Sequence, residues 1–182
     1  MDSFFWSIKS CPLPWMPIAG KCYLFSSDQL SQPSGQKFCE TNSIEGKLLE
    51  PRNLKVYTAV RKIAQQKLTS SNWAWIGIND TINETQFVYE SDSSVIDEDM
   101  NRPWDKNQPN NDHTQNCAVM NLNTGKWSDV DCHLFNKANL ICEDNENTSV
   151  TNKTGTYENT KILTCYAFCY LLKIFFIIQH RF

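Results

Sequence analysis

"CAVMNLNTGKWSDVDC", Cys117 to Cys132, is the stretch on which the fold turns. "CAVMNL" has the apolar, β-favouring content of a strand, and "NTGKW" supplies a glycine-containing turn behind it. Two of the chain's eight cysteines bracket the segment. So high a count points to an oxidising compartment and a disulfide framework. A reduced metal-binding protein would show CxxC spacings, and none occurs.

Working outward, "WAWIGIN" (73–79), "FVY" (87–89) and "NLIC" (139–142) read as further strands. Tyr57, Val60, Ala64 and Leu68 recur at helical spacing, which predicts a helix over Asn53–Leu68 with Asn53 as its cap. A shorter helix over Ser34–Thr41 would carry Phe38 and Cys39 on one face, although Gly35 weakens it. Two early helices followed by short antiparallel strands imply an α+β domain. From Glu90 to Asn116 the chain has little periodicity, and a loop that long in a compact domain is usually functional.

At 182 residues the chain holds one domain of ordinary size and something more. Its net charge is -3 and its pI about 5.6. No basic stripe exists, which argues against a nucleic-acid partner. Composition separates four zones. Residues 1–10 form an N-terminal segment, and residues 11–143 hold six cysteines and five of the six tryptophans. Residues 144–161 are a polar linker with too little apolar content for a core. Residues 162–182 begin with an apolar run that reaches the lower end of membrane-spanning length.

Both ends of the chain leave alternatives open. "MDSFFWSIKS" lacks the basic flank and apolar length of a signal peptide, so the expectation is a truncated or misassigned start. The tail is either a membrane anchor, with Arg181 favouring a cytoplasmic end, or a stray translated end. Lys173 inside the run would have to snorkel, and Cys165 and Cys169 count as tail cysteines. Four N-x-S/T acceptors, Asn79, Asn83, Asn147 and Asn152, agree with a secretory route.

Several short motifs stand in a fixed order: "CYLFS", "KFCE", "GKLLEP", "WIGIND", "QPN", "CAVM", "GKWSDVDC" and "LICE". Together they resemble the long form of the C-type lectin-like domain across Cys11 to Cys142. The resemblance implies the C-type lectin-like fold, with two helices, short antiparallel sheets, a long loop and disulfide bonds. It also implies the pairs Cys11–Cys22, Cys39–Cys142 and Cys117–Cys132, among the many that six cysteines allow. In the chain-entropy model, closing about 15 residues stabilises by roughly 3 kcal/mol and closing about 100 residues by somewhat under 5.

In sugar-binding members of that family one calcium ion sits in the long loop and bonds two sugar hydroxyls. The matching positions here are Gln108, Asn110, Gln115, Ser128 and Asp129. The family's proline between the first two is typically cis, which turns both flanking carbonyl side chains toward the ion. Calcium seeks six to eight oxygens and loses affinity as carboxylates are lost. Only Asp129 remains acidic here, so the expectation is a weakened or absent primary calcium site. Asp105, Asp112 and Asp131 lie close enough in sequence to compensate through water or a shifted shell. An auxiliary calcium site would draw on Asp80 and Glu84, with its other positions, Asn111, Gln115 and Asn116, uncharged.

The expected function is therefore carbohydrate binding through Gln108, Asn110, Gln115 and Asp129, with weak or degraded calcium dependence. The partner would be a glycan or glycoprotein outside the cell, and the protein secreted or anchored once in a membrane. The alternative is calcium-independent protein binding by the same loop. In the family Glu-Pro-Asn goes with mannose-type hydroxyls and Gln-Pro-Asp with galactose-type ones, and Gln-Pro-Asn, with carboxamides on both sides, matches neither. Trp104 and Trp127 read as structural, His113 and His133 as surface histidines, and "DED" (97–99) as a solvated run. No nucleophile and base stand at a recognisable spacing, so no enzyme is expected.

Overall fold

The computed structural model describes residues 11–96, 103–110 and 112–145. Within them the order is β1 (Met16–Ile18), β2 (Lys21–Ser26), α1 (Gln32–Asn42), β3 (Lys47–Leu48) and α2 (Leu54–Lys67). Then come β4 (Trp73–Asn79), β5 (Val88–Tyr89), β6 (Cys117–Asn121), β7 (Trp127–Val130) and β8 (Leu140–Asn145). The strands make two four-stranded antiparallel sheets, ordered β1-β2-β8-β3 and β5-β4-β6-β7. The expected α+β lectin-like architecture is present.

The longer helix forms where its spacing predicts. Asn53 caps it through Oδ1, which accepts the Lys55 and Val56 N–H groups at 3.0 and 3.2 Å. Its buried face is Tyr57, Val60 and Ala64, and Leu68 closes it. The shorter helix is longer than expected at both ends. Pro33 lies in its first turn, where the missing N–H costs nothing. Gly35 is no weakness there. A Cβ at that position would meet Leu140 Cδ2 at 2.7 Å, so glycine lets the helix lie close to β8.

Strand β4 divides the interior by simple alternation. Ala74, Ile76 and Ile78 join Tyr57, Val60, Ala64, Met120 and Trp127 in one apolar cluster. Trp75 faces the other way, with Leu48, Val119, Leu140 and cysteines of three disulfides. Its indole N–H donates to Leu30 O at 2.8 Å. Burying side chains of this size stabilises by roughly 1.5–3 kcal/mol each.

Among the described residues three disulfides have the pairing that the resemblance implied: Cys11–Cys22, Cys39–Cys142 and Cys117–Cys132. The second spans 103 residues and ties α1 to β8. Strand β8 runs to Asn145, two residues past the domain limit drawn at 143. Asp144 there is buried and accepts the Ser43 hydroxyl. Glu50 of "GKLLEP" is a second buried acid. It accepts Lys47 Nζ, Arg52 Nε and the Ser91 N–H, each at 2.8 Å, and so pins the start of the long loop.

Among the described residues no helix is long and apolar enough to cross a membrane. The expected linker beyond Asn145, the apolar tail with Cys165 and Cys169, and the acceptors Asn147 and Asn152 lie outside the described residues, as do residues 1–10 and 97–102.

Candidate functional site

The second half of the long loop is rooted on β7. Trp127 N–H donates to Pro103 O and Trp127 O accepts from Asp105 N–H, both at 2.8 Å. This gives a parallel bridge between Trp104 and Trp127. The two indoles meet edge to face at 5.6 Å, and Phe87 lies 4.8 Å from Trp104. Trp127 is buried, and its Nε1–H donates to Tyr57 Oη at 2.8 Å. Tyr57 in turn donates to Gly125 O at 2.9 Å. Burial pushes the Tyr57 hydroxyl well above its ordinary pKa, so it stays a donor. Gly125 holds φ at 74°, a left-handed turn position that favours glycine. Both tryptophans thus support the loop from beneath.

Above that root, four expected ligands come together. The Gln108–Pro109 peptide is cis. Asn110 N–H donates to Asp129 Oδ2 at 2.9 Å, and Asp129 N–H donates to Gln108 Oε1 at 3.4 Å. Asn110 Nδ2 donates to Gln115 Oε1 at 3.2 Å. Gln115 Nε2 donates to Asp112 Oδ2 at 3.3 Å, and Asp112 N–H donates to Asn110 Oδ1 at 2.9 Å. Gln108, Asn110 and Gln115 therefore each give a side-chain oxygen to a neighbour's N–H, and Asp129 gives one of its two. Ser128 is not part of this described network.

The amide side chains make the arrangement closed. A carboxylate at 110 or 115 could accept but not donate. Here Asn110 and Gln115 do both, and the donor half of each reaches the next oxygen in the ring. As arranged, these residues do not fit a tightly held calcium ion. The ion would need the same lone pairs, and the amides contribute no charge to displace the N–H donors. Among the described residues no three His, Cys, Asp or Glu side chains gather within metal-binding reach.

The nearby acids that were expected to compensate are engaged in their own turns. Asp105 Oδ1 accepts Lys106 N–H at 2.8 Å. Asp112 Oδ1 accepts the Thr114 N–H and hydroxyl, and that N–H first of all holds its carboxyl below the usual range. Asp131 Oδ1 accepts from His133 and Leu134 N–H, and the Leu134 contact leads in lowering its pKa. His133 lies on the surface, as does His113. Asn111 lies outside the described residues.

The two expected auxiliary residues sit in a different environment. Asp80 is buried at 3% exposure, just past the end of β4. Its Oδ2 accepts Thr85 N–H at 2.9 Å, and its own N–H donates to Asn116 O at 3.1 Å. Asp80 Oδ1 and Asn116 Oδ1 are both buried without a hydrogen-bond partner. Burial first, then the charges of Glu84 and Asp129, push the Asp80 carboxyl above its ordinary pKa. Glu84 reaches across to His113, with Oε2 and Nδ1 3.4 Å apart. A buried carboxylate oxygen and a buried amide oxygen without partners are what a bound cation would relieve. Asn116, which the resemblance had placed among the uncharged auxiliary positions, carries the clearest part of that signal, and only its burial makes its oxygen unusual.

The lectin C-type domain model matches residues 28–144. The chain belongs to the C-type lectin domain family. Over 134 residues it is 29% identical to human C-type lectin domain family 17, member A, spanning 74% of this chain and 32% of that protein. Over 124 residues it is 32% identical to bovine C-type lectin domain family 3 member A, spanning 68% of this chain and 59% of the relative. The chain thus covers from a third to three fifths of these relatives' own lengths. Among solved structures, the human scavenger receptor C-type lectin carbohydrate-recognition domain superposes with a TM-score of 0.61 at 26% identity. That overlap covers 75% of this chain and 99% of the human domain. In this C-type lectin domain the side-chain oxygens of Gln108, Asn110 and Gln115 each accept a neighbour's N–H.

Proposed function

We propose that this C-type lectin domain binds a glycan outside the cell through Gln108, Asn110, Gln115 and Asp129, with little dependence on calcium. The observation that supports this reading is the double role of Gln115, whose oxygen accepts from Asn110 and whose nitrogen donates to Asp112. A loop ordered by its own amides needs no ion to hold its shape. The same amides offer donors and acceptors to sugar hydroxyls. A protein ligand on this loop is the rival reading, favoured because such contact needs no metal-ready oxygens.

A cation has a better place beside the loop than in it. Asp80, Glu84 and Asn116 would hold calcium, which would neutralise the buried Asp80 charge and support the loop from its flank. Its affinity would be modest, because only two carboxylates contribute.

The test is a glycan array read in calcium and again in EDTA. The expected result is glycan signal in both conditions. Signal confined to calcium overturns the claim of weak dependence. Silence in both overturns glycan binding and leaves the protein ligand.

A further inference from the structure

We propose that Asn83 carries an N-linked oligosaccharide and that Asn79, four residues earlier, does not. Two acceptor sequences, Asn79-Asp80-Thr81 and Asn83-Glu84-Thr85, are packed into one short stretch. An oligosaccharide on either one stands in the way of transfer to the other. The inference rests on the extracellular reading above, since transfer takes place only on the secretory route.

The fold separates the two acceptors. Asn79 is the last residue of β4, half-buried, with its backbone registered against both Val88 and Cys117. Its Oδ1 is locked by the Thr81 hydroxyl at 2.6 Å and by Thr81 N–H at 3.3 Å. A glycan there would grow from a strand end flanked on both sides. Asn83 is exposed in the loop between β4 and β5. Its Nδ2 makes one surface contact, to Gln86 Oε1 at 3.0 Å, which opens to water at little cost. Beside it, Ile82 is 79% exposed, an apolar side chain without cover among the described residues. A glycan on Asn83 lies over it.

In the step itself, Asn83 Nδ2 forms a bond to the anomeric carbon of an oligosaccharide carried on a polyprenyl pyrophosphate. The bond from that carbon to the pyrophosphate oxygen breaks. The lipid pyrophosphate leaves with the electron pair, and the amide nitrogen gives up one proton. The product stands next to Glu84, whose carboxylate reaches His113 of the ligand loop. The glycan therefore fences one flank of the proposed binding site.

The full chain, expressed behind a heterologous leader in cells that perform N-glycosylation, provides the test. Peptide-N-glycosidase treatment in heavy-oxygen water marks each formerly occupied asparagine as a labelled aspartate, which fragment mass spectra then locate. The expected result is label on Asn83 and none on Asn79. Asn83→Gln should lose one glycan step on a gel, and Asn79→Gln none. Label on Asn79, or none on Asn83 in exported protein whose three disulfides have formed, overturns the inference. That second outcome leaves the ligand-binding reading standing, because it shows the domain folded and exported without the modification.

Discussion

Two oxygen clusters meet at the long loop, through the consecutive residues Gln115 and Asn116, and they are satisfied in opposite ways. Around Gln108, Asn110, Gln115 and Asp129, the main-chain N–H groups of Asn110 and Asp129 and the side-chain NH2 of Asn110 supply the donors that a metal would otherwise replace. In the pair Asp80 and Asn116, two buried oxygens have no donor. The first cluster keeps one acid, Asp129, and its amide oxygens each accept a neighbour's N–H. The second kept an acid and stayed open. Replacing carboxylate by carboxamide does more than remove charge, since it adds N–H groups that can stitch a loop together.

Trp127→Ala should have the largest effect, because it removes the floor beneath both the loop and the Tyr57 hydrogen bond. A loss of about 3–5 kcal/mol is expected by denaturant unfolding. A much smaller loss would mean that the loop is not rooted on β7.

The Asp80 side of the comparison is tested with calcium. At a hundredfold excess over Kd, calcium should stabilise the wild type by about 2.7 kcal/mol and Asp80→Asn by far less. In EDTA the order reverses. Asp80→Asn removes a buried charge while keeping an acceptor for Thr85 N–H, and should be more stable by roughly 1 kcal/mol near pH 7. The folded carboxyl has a raised pKa, so its favourable contribution is complete below the unfolded value of about 3.9 and is lost as pH rises through the folded one. The advantage of the variant should therefore vanish as the solution is acidified toward pH 4. An advantage that grew on acidification would contradict the assignment.

Gln115→Glu turns the closed cluster toward the open kind. The carboxylate keeps an acceptor for Asn110 but loses the donor to Asp112 and repels it. In EDTA the Tm should fall by roughly 2–4 °C, and calcium should restore it. The smallest effect belongs to His113→Ala. The Glu84–His113 pair is exposed on the histidine side, and stability should change by no more than about 0.5 kcal/mol.

Much of the fold was legible because periodic segments carry their own evidence. The stretch from Asn53 to Leu68 and the strand 73–79 could be read from spacing alone. The disulfide pairs came from the resemblance. What spacing did not show was made by partners far away. β3 is two residues long and exists because it pairs with β8. The start of α1 needed Pro33 to be read as a first-turn residue. In the site, the amides standing at Gln108, Asn110 and Gln115 were visible in the sequence. The direction of each amide was not, because it depends on which neighbour supplies the opposite half of each hydrogen bond.

Amide hydrogen exchange at Asn110, whose N–H donates to Asp129, tests the self-held loop most directly. It should be measured in EDTA and again after saturating calcium. The expected result is protection in EDTA that calcium leaves unchanged. Exchange at the rate of an open chain in EDTA, with protection appearing only when calcium is added, would show that the ion and not the amides orders the loop.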